Sequence, residues 1–486
     1  DINKSIHYLT LSANQNNSEA QYNLGIIYLG GKYFPRDIKK SIYYLTLAAD
    51  NNDPMAQYIT GMIYINNKYI DQDINKSIHY LTLSANQKNS SAQFILGVIY
   101  YEGKYIKRDI KKSIYYLTLS ANQNNVDAQY NLGNIYQDIR YSTFDINKSI
   151  YYLTLAAKQN DPYAQCNLGI MYYDGQYILK NINKSIYFLT LSANQNNSNA
   201  QYRLGLIYYD GKYISSDIKK SLYYLTLSAD QNNSDAQLLL GIIYYNNKYV
   251  QMDISKSIHY LTLSANQNNE MAFFTLGIIY YEGKYVSRDI NKAIHYLSLA
   301  SDLNNDKAQY LLGTIYYEEK YITRDINKAI HYLILSSNQN NQLAQFVLGK
   351  IYYENKYIKS DINKSIHFFT LAANENNQFA QFQLGKIYYE NNNIPSDITK
   401  AIHYLTLASD QENEFAQLLL GKIYYEGKYI ESDINKAIHY FSLSSNNNNS
   451  DAQFFLGRIY LENKYTQKDY IKSFHYLLLF QEFHLI

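Results

Sequence analysis

Histidine is the residue type whose spacing first raises a question of chemistry. Nine of the ten histidines are separated by 36 residues or a multiple of 36: His7, His79, His259, His295, His331, His367, His403, His439 and His475. Aligned imidazoles could bind a metal ion. However, tyrosine takes the same place at Tyr43 and Tyr115, and side chains one helix-packing distance apart, about 10 Å, cannot share an ion bound at about 2 Å. We therefore expect a partly exposed His/Tyr row, with no metal and no other cofactor.

The sequence lacks the other residue sets that carry catalysis. Cys166 is the single cysteine, which excludes an intrachain disulfide and a multi-cysteine metal site. We interpret it as a small apolar residue. There is no nucleophile–base–acid set, glycine-rich phosphate loop or metal motif. These features predict a protein that is not an enzyme and that has no small-molecule substrate.

The charge balance and the apolar content of the sequence limit the kinds of partner that the chain is expected to bind. The chain has 44 basic and 42 acidic residues and a net charge of +2, which gives no field for steering nucleic acid and argues against such a partner. No apolar run approaches the ~18 residues needed to cross a bilayer, so we expect no membrane span in this sequence. The sequence starts within a repeat and without Met. We therefore expect a piece of a longer chain, whose default location is the cytoplasm.

The elements that position these residues repeat every 36 residues. Glycine recurs at this interval from Gly25 to Gly457, and an acidic residue recurs from Asp1 to Asp469, with Asn181 as the one exception. A period of this size is typical of a solenoid. We expect one array over residues 1–486, with a half repeat at 1–16 and thirteen repeats from about 17 to about 484.

Each repeat is predicted to contain two helices, A and B. Asn17 or Asp53 can cap helix A, and Pro54 follows at the first helical position. Helix A ends near a glycine such as Gly31, which tolerates a left-handed backbone. Helix B runs from about Ile38 to Ala49, with apolar residues three and four apart. The predicted fold class is all-α, an α/α solenoid (superhelix) of 36-residue helix-turn-helix repeats.

A glycine stands in the middle of helix A. Such a glycine costs about 1 kcal/mol relative to alanine, yet Gly25 has an equivalent in every full repeat. We expect helix B to cross so closely at this point that a Cβ would collide. The small pair Ala48–Ala49 is the expected contact on helix B.

The repeat pattern resembles a known family over the whole chain. The residues that carry the resemblance are Ala20, Leu24, Gly25, Tyr28, Gly31, Asp37, Lys40, Ser41, Tyr44, Ala48 and Ala49. They resemble the Sel-one-like repeat, a relative of the tetratricopeptide repeat. The resemblance implies a non-catalytic adaptor or scaffold that binds protein or peptide partners. The alternative is a regulatory or activating subunit, or a fused region, of an enzyme complex whose catalytic residues lie outside this sequence.

In relatives of this architecture, helix A lines the concave surface, so an aromatic-rich groove is expected here. Residues six and three before the glycine, and one and four after it, share one helix face. Aromatic residues are frequent three before and four after the glycine. The candidate binding residues at these two positions are Tyr58, Phe94, Tyr101, Tyr209, Tyr245, Tyr281, Tyr317, Phe346, Tyr353, Phe382, Tyr389 and Tyr425. Aromatic side chains suit protein recognition because they supply large contact areas. The alternative is that many of these rings pack between repeats.

The residue after the glycine changes along the chain. It is Met62 in an early repeat and is mostly apolar in the N-terminal half. In the last four repeats it becomes basic, giving the candidates Lys350, Lys386, Lys422 and Arg458. This change predicts a partner that is acidic towards the C-terminal half. The alternative is local neutralisation, because a glutamate stands four residues after each basic residue, at ion-pair spacing.

Two loops between helices A and B depart from the pattern at unchanged length. They are residues 138–144 and residues 391–396. Each departure could mark a partner contact or simple sequence drift.

Overall fold

The computed structural model describes residues 2–31, 35–66, 70–246, 248, 250–390, 397–462 and 469–482. Within these ranges every regular element is an α-helix. The helices are α1 Ile2–Ala13, α2 Ser18–Gly30, α3 Ile38–Asp50, α4 Pro54–Ile65, α5 Ile74–Asn86, α6 Ser90–Glu102, α7 Ile110–Ala121, α8 Val126–Gln137, α9 Ile146–Lys158, α10 Pro162–Asp174, α11 Ile182–Ala193, α12 Ser198–Asp210, α13 Ile218–Asp230, α14 Ser234–Tyr245, α15 Ile254–Ala265, α16 Glu270–Glu282, α17 Ile290–Asp302, α18 Asp306–Glu318, α19 Ile326–Ser337, α20 Gln342–Tyr353, α21 Ile362–Asn374, α22 Gln378–Glu390, α23 Ile398–Ser409, α24 Glu414–Glu426, α25 Ile434–Asn446, α26 Ser450–Leu461 and α27 Tyr470–Glu482.

The chain forms two compact units, residues 1–239 and 240–486, which we call the N-terminal and C-terminal units. Even-numbered helices are the A helices of the repeat and odd-numbered helices are the B helices. The predicted all-α solenoid of helix-turn-helix repeats is confirmed. The expectation of one array over residues 1–486 stays a prediction. No helix in the described ranges is long and apolar enough to cross a membrane.

Polar side chains set the helix starts, as the sequence predicts. The Asn17 side chain accepts the backbone N–H of Ala20 at 2.9 Å. Asn181, which replaces the usual aspartate, accepts the N–H of Lys184 at 3.0 Å, so this substitution keeps the cap. Helix α2 ends as expected at Gly31, whose φ of 64° is left-handed.

The A and B helices of a repeat come into close contact at the mid-helix glycine. A Cβ added to Gly25 would lie 2.5 Å from the Cγ atom of Leu45 and 3.2 Å from its backbone nitrogen. Leu45 is fully buried, and Ser41 Oγ donates to the Gly25 carbonyl at 2.8 Å. The expected close approach is therefore confirmed. The predicted contact through Ala48–Ala49 is wrong, because the three atoms nearest to the added Cβ all belong to Leu45. The pair packs instead with Ala56 of the next A helix and Tyr22 of α2.

Buried glutamines join each repeat to the next. Gln57 is 1% exposed; its Nε2 donates to the Ala49 carbonyl at 3.1 Å, and its Oε1 accepts from Gln87 Nε2 at 2.9 Å. Equivalent glutamines in other repeats make the same bonds, and we call these linked pairs of glutamines the glutamine ladder. Its pairs of glutamines are Gln57–Gln87, Gln93–Gln123, Gln129–Gln159, Gln165–Gln195, Gln201–Gln231, Gln309–Gln339 and Gln381–Gln411. The equivalent pair Phe273 and Leu303 is apolar at both positions.

One step of the glutamine ladder has a defect. The residue that should donate to Gln345 is Glu375, whose ionised side chain carries no N–H. The buried Gln345 Oε1 has no hydrogen-bond partner within the described part of the chain. A buried polar atom left without a partner costs about 1–3 kcal/mol.

Gly25→Ala is expected to destabilise the α2–α3 hairpin by about 1–2 kcal/mol, because overpacking a filled core costs more than the helix propensity of alanine returns. Gly30→Ala in the same helix is the matched control, since no atom lies within 4 Å of its added Cβ. Hydrogen exchange of α2 and α3 peptides measures the local stability. Equal protection in the two variants would contradict the close contact.

Glu375→Gln is expected to raise the free energy of unfolding of the C-terminal unit by about 1 kcal/mol, because the amide supplies the donor that Gln345 lacks. Glu375→Ala removes the same charge without adding a donor and serves as the control. Urea denaturation compares the two midpoints. The ladder account fails if both variants unfold at the same urea concentration.

Candidate functional site

Four positions of each A helix lie on one side of it: six and three residues before the glycine, and one and four residues after it. We call this side the A face. In α22 it carries Phe379, Phe382, Lys386 and Tyr389. Among the candidate binding residues, Tyr353 and Arg458 are exposed and all the others are half-buried. None of the candidates is sealed in the core, and most are only partly accessible to a partner.

The tyrosine four residues after the glycine is held by the following repeat. Tyr317 contacts loop Tyr357 edge-on, with ring centroids 5.9 Å apart, and its hydroxyl donates to the Glu354 carboxylate at 3.3 Å. Burial and Glu354 raise the pKa of Tyr317 to about 12, so the hydroxyl keeps its proton in moderately alkaline solution as well. Tyr245 and Tyr389 make the same two kinds of contact. These tyrosines contribute to the contact between repeats and leave only part of each ring accessible.

The aromatic residue three before the glycine also has two environments. The Phe346 ring lies 5.8 Å from buried Phe369 and 6.1 Å from Phe379 of the next A helix. Phe382 contacts Phe415 in the same way, at 6.1 Å. Packing between repeats and exposure on the A face therefore both apply to this row.

None of the predicted binding residues stands six before the glycine, although the sequence places this position on the same helix face. Leu343, Phe379 and Phe415 occupy this position in α20, α22 and α24 and are 47%, 54% and 52% exposed. With Phe346 and Phe382 they form a set that we call the apolar row. The residue type six before the glycine varies between acidic, polar and apolar along the chain. This variation is the signal that could have revealed the row.

The basic residues after the glycine are paired with acids. The pairs four residues apart are Lys350–Glu354 at 3.6 Å, Lys386–Glu390 at 3.9 Å and Arg458–Glu462 at 3.1 Å. Lys422 pairs instead with Asp451 of the next A helix, at 3.8 Å. The local ion pairs of the alternative interpretation thus form in three of the four repeats. An acidic partner stays a prediction.

The A face of the N-terminal unit contains a cleft of about 530 Å³ beside the unusual loop 138–144. Ile139 stands where related loops have a left-handed glycine, and α8 ends at Gln137, one residue earlier in the repeat than its neighbours. Asp138 and Arg140 form an ion pair, with a shortest N–O distance of 2.6 Å. This pair lowers the pKa of Asp138 to about 2. The other unusual loop, 391–396, lies outside the described residues.

The aligned histidines and the single cysteine do not form a reactive site in the described part of the chain. The nine histidines of the row are exposed on B helices, and no cluster of three or more metal-ligating side chains occurs in the described ranges. Cys166 is 4% exposed, and burial raises the pKa of its thiol to about 11. This cysteine therefore packs as a small apolar residue.

The repeat matches a family model described as the Sel1 repeat. The matched residues are 1–17, 18–53, 54–89, 90–125, 126–161, 162–197, 198–233, 234–269, 274–305, 306–341, 342–377, 378–413, 415–449 and 450–479. Sel1 repeats generally serve as scaffolds for protein–protein interaction and are typically non-catalytic. A comparison with curated protein sequences found no match.

Solved structures include similar chains. One is c5321, a protective antigen present in uropathogenic Escherichia coli strains and displaying an SLR fold; it is 23% identical, with a TM-score of 0.66 over 99% of this chain and 97% of that chain. A second is a Sel1 repeat protein from Oxalobacter formigenes, 27% identical, with a TM-score of 0.54 over 64% of this chain and 89% of that chain. The likeness to c5321 shows the fold alone. Because the repeat matches span almost the whole sequence, the chain belongs to the Sel1 repeat family.

Proposed function

We propose that this protein is a non-catalytic scaffold that binds a protein partner on the A face of its C-terminal unit. The observation that carries the proposal is the apolar row, in which Leu343, Phe379 and Phe415 are each about half exposed. Burying a large apolar side chain is worth about 1.5–3 kcal/mol. A repeated apolar surface of this kind is typical of an interaction site.

The geometry of the rings supports one continuous contact surface. Phe346 and Phe379 lie 6.1 Å apart across two A helices, and Phe382 and Phe415 repeat this distance across the next two. Phe379 and Phe382 are one helical turn apart on α22. A partner segment with several apolar side chains could therefore contact α20, α22 and α24 together.

Charged side chains border this surface. Lys350 and Lys386 are on the same A face, and each is already paired with a glutamate. Exposed ion pairs contribute only about 0–1 kcal/mol, so a carboxylate of the partner could replace the glutamate at small cost. An acidic partner therefore fits as a secondary preference, with apolar contacts supplying most of the affinity.

The double variant Phe379→Ala, Phe415→Ala is expected to weaken partner binding by at least about tenfold, because central aromatic residues dominate interface energies. Tyr163→Ala removes a 59% exposed ring at the same position of the N-terminal unit and is the matched control. Quantitative affinity capture identifies the partner, and titration of that partner measures the affinity. Equal affinity for both variants would exclude the apolar row as the binding surface.

Salt separates the apolar and acidic contributions. If the apolar row dominates, raising NaCl from about 0.05 to 0.5 M should change the affinity by less than about threefold, since screening acts on exposed charges. A much larger loss of affinity, abolished in Lys350→Glu, Lys386→Glu, would indicate recognition by charge.

A further inference from the structure

In three repeats of the C-terminal unit, the tyrosine four after the glycine makes the same two contacts. This tyrosine meets a loop tyrosine forty residues later and a carboxylate 37 residues later. The sets are Tyr245 with Tyr285 and Glu282, Tyr317 with Tyr357 and Glu354, and Tyr389 with Tyr429 and Glu426, with ring centroids 5.7 to 5.9 Å apart and oxygens 3.1 to 3.3 Å apart. In each set the loop tyrosine and the glutamate form the receptor residues for a phenol ring, and the chain's own tyrosine occupies that place.

Helix α8 lacks the tyrosine, although the receptor residues that would meet it are present at the end of α10 and in the loop that follows. The residue at the position is Gln137, while the loop tyrosine, Tyr177, and the carboxylate, Asp174, are present at the same intervals. All three line the 530 Å³ cleft. Among the described residues, no side chain or backbone N–H pairs with the exposed Asp174 carboxylate. Because glutamine is smaller than tyrosine, the cleft has room for an aromatic ring, which could contact the Tyr177 ring and donate a hydrogen bond to Asp174.

Part of the remaining lining suits an aromatic guest, while Asn134, Asp138, Arg140 and Gln176 supply a polar border. Ile170 and Met171 supply apolar surface, and Tyr177 is 47% exposed, with one side in contact with Phe144 at 5.4 Å. Aromatic rings favour edge-on pairing of this kind. A phenol hydroxyl can donate to a carboxylate, as the chain's own tyrosines do at 3.1 to 3.3 Å, and the charge on the acceptor strengthens such a bond.

We propose that this cleft binds a tyrosine side chain of a partner protein, in the position that the chain's own tyrosine takes in other repeats. Phenylalanine would fill the same space without a donor for Asp174. The site uses residues of the N-terminal unit alone and none of the apolar row. The inference rests on the proposed role in protein binding. The cleft and the apolar row are tested separately, so one can fail its test while the other passes.

The test titrates N-acetyl-tyrosinamide into the whole chain and follows the probe by saturation-transfer NMR, with the phenylalanine and lysine amides in parallel. We expect weak binding of the tyrosine amide, preferred by about threefold or more over the phenylalanine amide because of the extra hydrogen bond. Asp174→Ala should remove this preference and keep the binding of both rings.

Gln137→Tyr fills the cleft with the residue that the other repeats use. This variant should raise the midpoint of thermal unfolding and weaken binding of the tyrosine amide by about tenfold or more, since host and probe compete for one site. Leu29→Tyr adds a tyrosine at the same position of α2, leaves the cleft open and should bind like the wild type.

Two results would overturn the inference. One is unchanged binding of the tyrosine amide by a folded Gln137→Tyr variant, which would place the probe elsewhere. The other is a preference of the wild type for the lysine amide, which would assign Asp174 and the cleft to a cation. If Gln137→Tyr does not fold, the Asp174→Ala variant decides the question. The inference is overturned if this variant prefers the tyrosine amide over the phenylalanine amide as strongly as the wild type does.

Discussion

The contact between the glycine of each A helix and the residue that crosses it sets the geometry of this molecule. An added Cβ would lie 2.5 Å from Leu45 at Gly25 and 2.5 Å from the Phe369 ring at Gly349, so the two helices approach too closely at this point for any side chain on the glycine. The helix accepts a propensity cost of about 1 kcal/mol for this glycine. Because the contact recurs every 36 residues, each A helix presents the same four positions on its A face.

The glutamine ladder carries this order from one repeat to the next. Its glutamine-to-carbonyl bonds are buried and its glutamine–glutamine bonds are partly buried. Together they join an A helix to the B helices before and after it, as Gln57 does with Ala49 and Gln87. Where Phe273 and Leu303 replace the pair, both partners change together, which avoids an unpaired buried amide. With the scaffold fixed in this way, function is left to the A-face positions that vary. The apolar row and the cleft at Gln137 are two such departures.

The sequence predicted what depends on local periodicity and missed what depends on the neighbouring repeat. The Asn17 cap and the close approach at Gly25 follow from residue types within one repeat. The orientation of Ala48–Ala49 does not, because either side of a B helix can face an A helix. Lys422 pairs with Asp451 of the next A helix. The residue spacing along one helix cannot predict a contact between two helices. The exposure of Phe379 likewise depends on how far the next repeat covers it.

A photoreactive benzoylphenylalanine at position 379 tests most directly whether the A face of the C-terminal unit holds a partner. A second chain carries the same group at position 115, where Tyr115 is 59% exposed on a B helix. Binding through the apolar row predicts a cross-link to one protein from position 379 and none from position 115. Equal labelling from both positions, or cross-links from position 115 alone, would contradict it.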